Sequence, residues 1–370
     1  MLSILSTFIL YNGVLLLCPL LCCFGKKGTW FAYVIITVLS VIRYDIGADY
    51  ENYAYMLEQL KEGLNNGYSF GYIWFVFEKE PAMIFLTKLF AWSEYPYVWV
   101  IGVISVLNTI LLYKVLERYQ IHAWGIFLYI VTFILFQSWD WVRQSVAMHV
   151  FLYCLCYIES RNFLKYMLWV LFASMFHYSA LCLLPFYFIY SMRIRPVVVL
   201  ICAVGLFLLA ELGLFNNVKK LLDLVMAMYN DFYVGTQHTA SGANTYHSIT
   251  YILTMLWYIF IIGMSLKAEN HLVLFFFVGV VLYAIAGGNL LLIRMAYYFL
   301  GLQLLLLPLA LRDFEGGGMA KMVVVGMLAV QLLVFNKVYV GANFRGCTPY
   351  ETIFSKNCHF KLYRFRDYKK

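Results

Sequence analysis

Continuous apolar runs recur along the whole chain, each closed by a few polar positions. The first spans Leu2–Phe24 and the second Trp30–Ile42, with Lys26 and Lys27 between them. Residues 71–92 are apolar but broken by Glu78, Lys79 and Glu80. Further runs occupy about 95–116, 122–138, 141–158, 163–190, 196–215, 247–266, 271–288, 290–311 and 319–338. A helix needs about 20 apolar residues to cross a bilayer core of about 30 Å. The runs are continuous and do not alternate, which excludes a β-barrel. The pattern predicts an all-α polytopic membrane protein of roughly eleven to twelve hydrophobic helices. Leu2–Phe24 is too long and too weakly basic at its start for a cleaved signal, so it reads as a retained helix. Residues 1–340 read as a single membrane domain with polar segments at 43–80 and 217–246, and 341–370 as a basic C-terminal tail.

Composition agrees. Of 370 residues, 64% are hydrophobic and 12% charged, against about 45–50% and about 25% in an average soluble domain. So few charges could not cover so much apolar surface in water. Disorder is excluded by 31 Tyr, 31 Phe and 9 Trp. The net charge of +8 does not point to nucleic acid, because no basic block with interleaved aromatics lies in a soluble segment. The nine cysteines form no CxxC pair and no Cys/His metal pattern. Cys347 and Cys358, in the polar tail, are the one plausible disulfide pair. Phosphate-binding loops and zinc-protease or serine-hydrolase motifs are absent from the sequence.

Short-loop Lys and Arg set the expected orientation. Lys26 and Lys27 place the first loop inside, and the N-terminus and residues 43–80 outside. Lys114/Arg118, Arg161/Lys165, Arg193/Arg195, Lys267 and Arg312/Lys321 then also fall inside. This alternation requires 71–92 to enter and leave on one face. It also requires the 28-residue run 163–190 to be a bent hairpin or an odd span. Eight Lys and Arg from Lys337 onward favour the cytoplasm for the tail, while span counting puts it outside.

Ionisable groups beside apolar runs are functional candidates, because they are costly at membrane depth. On the expected outer face these are Arg43, Asp45 and Asp49, then Glu78, Lys79 and Glu80, then Asp140 and Arg143, then His177 and Arg294. Each also has a plain structural reading. Arg43 can snorkel to head groups, and Asp49 can cap a helix starting near Tyr50. Glu80 precedes Pro81, which fits the first turn of a helix. Asp140 and Arg143 are three residues apart and can pair. His177 can be a satisfied core histidine, and Arg294 can bind carbonyls. Arg43, Arg143 and Arg294 fall on one expected face, so three guanidiniums can converge. Such a set beside carboxylates suggests a diphosphate ligand with acid–base chemistry.

Several segments carry a resemblance: Arg43…Gly47-Ala48-Asp49-Tyr50…Tyr53, Glu80-Pro81, Arg143-Gln144-Ser145-Val146-Ala147, Phe176-His177-Tyr178-Ser179-Ala180-Leu181, Arg294…Tyr298 and Pro349-Tyr350-Glu351-Thr352-Ile353-Phe354. In their order and spacing the chain resembles the EpsG family of multi-span proteins from bacterial exopolysaccharide and O-antigen loci, which includes Wzy-type O-antigen polymerases. Coverage runs from about residue 40 to 355. Ala48 stands where a common family form has Thr, and Glu78 and the long 163–190 run are not among the features that carry the resemblance.

The resemblance implies an architecture similar to the all-helical, lipid-sugar-dependent (GT-C-like) glycosyltransferases. It implies a multi-pass protein of the bacterial inner membrane with its active site facing the periplasm. The implied activity joins lipid-linked oligosaccharide repeats. An acceptor hydroxyl attacks the anomeric carbon of a glycan carried on undecaprenyl pyrophosphate. In that reading Arg143 and Arg294 bind the diphosphate with Arg43 in support. Asp49 or Glu80 is the general base, and His177 is the third candidate. Expected partners are undecaprenyl-diphosphate-linked glycans and membrane lipid, with a chain-length regulator as a further candidate. No cofactor is expected; a divalent metal stays open, since two carboxylates could hold one and an Arg cluster could replace it. The alternatives are a lipid-linked oligosaccharide flippase and an O-antigen ligase.

Overall fold

The computed structural model describes residues 3–69, 71, 80–190, 192–218, 247–267, 270–312 and 314–354. Glu78, Lys79, Cys358 and nearly all of the 217–246 segment lie outside them. The described residues form helices and no strand; one isolated antiparallel bridge pairs Arg43 with Thr352. The protein is an all-α polytopic membrane protein, as its hydrophobic pattern predicts. Among the described residues four helices are long and apolar enough to span a bilayer: Ile4–Cys22, Pro96–Tyr119, Leu290–Arg312 and Gly318–Gly341. A fifth candidate is a pair bent by 57°, His122–Val131 with Ile134–Asp140. The chain divides into two compact units, residues 1–188 with 333–370, and residues 189–332.

The first unit holds α1 (Ile4–Cys22), α2 (Gly25–Val41), α3 (Tyr50–Asn65), α4 (Pro81–Leu89), α5 (Pro96–Tyr119), α6 (His122–Val131), α7 (Ile134–Asp140), α8 (Val142–Glu159) and α9 (Phe163–Phe176). Local chemistry starts them. The Ser3 hydroxyl accepts from Ser6 N–H at 3.0 Å, and Asn162 Oδ1 from Lys165 N–H at 3.1 Å. Pro81 and Pro96 stand at first helical positions, where the missing N–H costs nothing. The bend between α6 and α7 falls at Phe133, whose φ is +67°.

Polar contacts mark the two ends of this bundle. At one end Trp139 Nε1 donates to Ser40 Oγ at 2.9 Å, and Asp49 N–H to Asp140 Oδ1 at 3.0 Å. At the other, His122 lies 2.9 Å from the Tyr33 hydroxyl and 2.6 Å from Glu117, and Tyr119 OH donates to Glu159 at 3.0 Å. That second end also carries exposed Lys26, Lys27, Lys114, Arg118, Arg161 and Lys165. The run 163–190 is a bent hairpin. Helix α9 stops at His177 in extended backbone, and a tight turn of helix follows at Tyr178–Leu183. Tyr166 OH then donates to Leu183 O at 2.6 Å, and Phe163 packs on Tyr187 and Phe188.

Part of the segment read as a basic tail is built into this unit. A π-helix at Phe335–Gly341 leads to a strap at residues 343–354. The strap lies at the same end as the 42–50 loop. Tyr44 N–H donates to Glu351 O at 3.0 Å, and Ile353 N–H to Ile42 O at 2.9 Å. Tyr11 OH donates to Cys347 O at 2.6 Å, and Tyr350 OH to Leu39 O at 2.7 Å. The strap thus shares an end with the 42–50 loop, and the charges from Lys356 onward lie outside the described residues. Cys347 is buried; burial first, then the nearby Asp140 carboxylate, push its thiol well above the ordinary value. Its conjectured partner Cys358 is outside the described residues.

The second unit holds α10 (Pro196–Glu211), α11 (Ile249–Met264), α12 (Asn270–Ala286), α13 (Leu290–Leu300) and α14 (Gln303–Arg312). Helices α12 and α13 approach closely at Gly279, where a Cβ would meet Phe299 Cβ at 2.9 Å. Buried Trp257 Nε1 donates to Gln303 Oε1 at 2.9 Å. The Asn289 side chain caps α13 through Leu292 N–H at 3.2 Å.

Gly47 is a sensitive point of the first unit. Its φ is +105°, and a Cβ there would sit 3.0 Å from Trp139 O. Gly47→Ala is expected to destabilise the protein by about 2 kcal/mol. Thermal unfolding of the detergent-solubilised variant checks this; a midpoint equal to wild type would contradict it.

Candidate active site

Three interruptions in apolar helices deliver one cluster. Glu80 is the residue before Pro81, in extended backbone. Its carboxylate makes no cap bond to α4 and turns elsewhere. Arg143 is in the first turn of α8, just past the joint at Trp141. His177 ends α9. Arg143 Nη1 donates to Glu80 Oε2 at 2.6 Å, and His177 Nδ1 lies 3.1 Å from Glu80 Oε1. An ionised carboxylate only accepts, so the proton of this bond is on Nδ1. In the neutral imidazole Nε2 then carries the lone pair, and it has no hydrogen-bond partner among the described residues. The Glu80 side chain is 3% exposed, Arg143 17% and His177 23%. The carboxylate is therefore enclosed and its two cationic or basic partners reach the surface. Below Arg143 lies Tyr53 of α3, with the guanidinium carbon 5.4 Å from the ring centre and Nε 3.5 Å from the hydroxyl.

A second ion pair stands at the same joint. Asp140 ends α7 and is 0% exposed. Its Oδ2 is 3.1 Å from Arg345 Nη1, and its Oδ1 accepts from Asp49 N–H. Arg345 also lies over Trp141, 5.5 Å from the ring centre. Two charged residues of one short sequence, Trp139–Arg143, therefore reach two different parts of the chain. Asp140 and Arg143 could pair by spacing; in the structure Arg143 is bonded to Glu80, and Asp140 forms an ion pair with Arg345.

The sequence-derived candidates separate accordingly. Glu80, Arg143 and His177 come together. Asp49 occupies the N-cap position of α3 as expected, but its side chain caps no helix N–H. It accepts weakly from Asn52 at 3.5 Å and lies one turn before Tyr53. Arg43 stands apart from Glu80, Arg143 and His177. It is buried, with Nη1 donating to Ser40 O and to Ser105 Oγ at 2.9 Å, and its guanidinium rests 5.6 Å from the Trp139 ring centre. A side chain enclosed by α2, α5 and α7 braces these helices against one another. Arg294 lies half-buried on α13 in the second unit. Sequence reasoning passed over Arg345 because a cation in a basic tail looks solvated, and named Tyr53 only within a resemblance motif. The resemblance motifs that contain Tyr53 and lie just past Arg345 were the available signal. Among the described residues no three His, Cys, Asp or Glu side chains gather as a metal-binding group.

This geometry can do two things. A carboxylate-oriented imidazole can accept a proton at Nε2. The neighbouring guanidinium, planar and permanently charged, matches phosphate oxygens. Removing the Glu80 charge leaves Arg143 without its closest anion in a mostly buried place. Glu80→Gln is expected to cost about 2–3 kcal/mol, more than His177→Gln at about 1 kcal/mol. Thermal unfolding of both variants in one detergent tests the order; a larger loss at His177 would reverse the assignment of Glu80 as the hub.

Comparison with curated proteins and with solved structures gives no significant match. A family model does match, over residues 29–352, a span that includes Glu80, Arg143, His177, Arg294 and Arg345. That span covers most of the chain, and the protein belongs to the EpsG family.

Proposed function

We propose that this protein polymerises oligosaccharide repeat units carried on undecaprenyl pyrophosphate, at the outer face of the bacterial inner membrane. Members of the EpsG family are Wzy-like polymerases, which supplies the reaction class: a glycosyltransferase-like polymerase of exopolysaccharide or O-antigen type. The observation that carries the site assignment is the enclosed Glu80 carboxylate gripped by Arg143 and His177 together. The location rests on charge. Six exposed Lys and Arg lie at the opposite end of the first unit, and basic ends of membrane helices favour the cytoplasm.

The step is a balanced glycosyl transfer. A hydroxyl oxygen of the lipid-linked acceptor repeat bonds to the anomeric carbon of the growing glycan. The bond from that carbon to the diphosphate oxygen breaks, and the diphosphate leaves with the electron pair. The hydroxyl proton passes to His177 Nε2, whose ring Glu80 orients through Nδ1–H. Arg143 stabilises the charge that builds on the departing diphosphate. Glu80 thus serves as a positioning residue and His177 as the base, a division that the hydrogen-bond pattern favours over Glu80 or Asp49 as base. No cofactor enters this step. The polyprenyl chain runs in the lipid beside the apolar helices. Arg294 keeps a place in the diphosphate-binding set through the resemblance, and a chain-length regulator remains a candidate partner.

Arg143→Gln, His177→Gln, Glu80→Gln and Arg294→Gln, each correctly inserted, test this in cells lacking the native gene. The first two are expected to slow polymerisation at least about a hundredfold. Surface glycan then collapses from long chains to single repeats. Full-length chains from Arg143→Gln and His177→Gln would overturn the site. A cell without the protein that exports no repeat at all would instead indicate a flippase or a ligase.

A further inference from the structure

The turn between α4 and α5 presents two indoles at the end of the first unit that holds the 42–50 loop. Helix α5 starts there at Pro96 and runs to Tyr119, among the exposed lysines and arginines of the opposite end. Tyr97, in its first turn, meets the ring of Tyr50 at the start of α3, with centres 6.2 Å apart. Trp92 is 73% exposed and Trp99 47%. Their ring centres are 5.7 Å apart with planes tilted by 48°, and Phe90 stacks on Trp99 at 5.8 Å.

Hydrogen bonds hold this turn in shape. Ser93 Oγ accepts from Trp99 Nε1 at 3.1 Å and from Tyr95 N–H at 3.2 Å. Lys61 Nζ, from α3, donates to Ser93 O at 2.8 Å and to Glu94 O at 3.3 Å. Tyr95 OH donates to Glu94 Oε1 at 2.7 Å. An indole of an interfacial belt offers its N–H to the head groups. The N–H of Trp99 is used inside the turn, so its ring is what it offers outward. The neighbouring charges disfavour phosphate as well. Glu94 and Glu62 are exposed and Glu58 half-buried, while the cations on these segments are Lys61, committed to two carbonyls, and Lys88. Burial first, and with it the Glu62 and Glu94 charges, outweigh Lys61 and raise the Glu58 carboxyl above its ordinary value.

A sugar ring carries C–H groups on its face and hydroxyls around its edge. It matches an aromatic face with carboxylate acceptors beside it, because the face buries apolar surface and the carboxylate takes hydroxyl protons in hydrogen bonds. We propose that Trp92 and Trp99, with Glu94 at their edge, form a glycan-binding subsite for sugars of the lipid-linked chain beyond the reacting bond. Helix α4 separates this turn from Glu80 by nine residues, about 13 Å of helical rise. One oligosaccharide chain covers that distance. The subsite would hold the glycan while its reducing end is at the cluster of Glu80, Arg143 and His177. This inference rests on the polymerase reading, in which the substrate is an oligosaccharide.

The test uses oligosaccharides of several repeats, cut from the surface polysaccharide of the source bacterium and free of lipid. Their binding to the full chain in nanodiscs is measured by calorimetry. The double variant W92A/W99A is expected to weaken binding about tenfold, and W92F/W99F to stay within about threefold of wild type, because a ring face remains. Trp92→Ala alone, at the more exposed ring, is expected to lose about threefold and keeps the test decisive should the double variant fold poorly. Wild-type affinity in W92A/W99A would overturn the inference and leave the indoles as a head-group belt. Absence of oligosaccharide binding by the wild-type protein would overturn it too. A failure of the underlying reading looks different: Arg143→Gln would then still give full-length surface chains.

Discussion

A carboxylate with no solvent exposure stands at the joint of α7 and α8, and the first unit is arranged around satisfying it. An isolated charge in such a place costs several kcal/mol. Asp140 meets that cost with a cation from residue 345 and an N–H from residue 49. Both partners are distant in the chain. The strap must therefore return to the bundle, and the 43–49 loop must fold under it. The backbone bonds between Tyr44 and Glu351 and between Ile42 and Ile353 then close the two segments on each other. Arg43 braces the same region from beneath, tying Ser40 to Ser105 against the face of Trp139.

Helix interruptions are where the polar chemistry gathers. In a bilayer every backbone N–H and C=O needs a partner, so a break is tolerated only where protein or a polar cavity supplies one. Glu80 lies before Pro81, Arg143 after the α7–α8 joint and His177 at the turn of a hairpin. Each is a place where an apolar run stops before it has finished crossing or turning. The remote end of the unit is organised differently, with exposed lysines and arginines around a Tyr33–His122–Glu117 contact. One end is thus a solvated basic rim and the other an enclosed mixed-charge cluster.

In the proposed function the reactive bond lies just outside the hydrocarbon. A lipid diphosphate presents a double negative charge at head-group depth while its tail stays in the membrane. A guanidinium held by an enclosed carboxylate is already oriented before ligand arrives, so little is lost in ordering it. The imidazole on the other carboxylate oxygen has its tautomer set by that bond. In the proposed reaction the two groups share one support, so loss of Glu80 would disturb both.

Hydrophobic spacing alone established the helical membrane class, because bilayer thickness dictates run length and only helices satisfy the backbone in continuous runs. It also exposed the candidate charges, since each interrupts a run. Local rules placed the helix starting at Pro81 and the start of α3, while run length left 163–190 as a bent hairpin or an odd span. Pairing was beyond them. Asp140 and Arg143 look like partners at three residues' distance, yet the joint at Trp141 sends them to Arg345 and Glu80. Arg43 looks like a surface cation, yet packing encloses it. Long-range contacts choose among cations that are equivalent in sequence, because a buried carboxylate selects by distance in space and not along the chain.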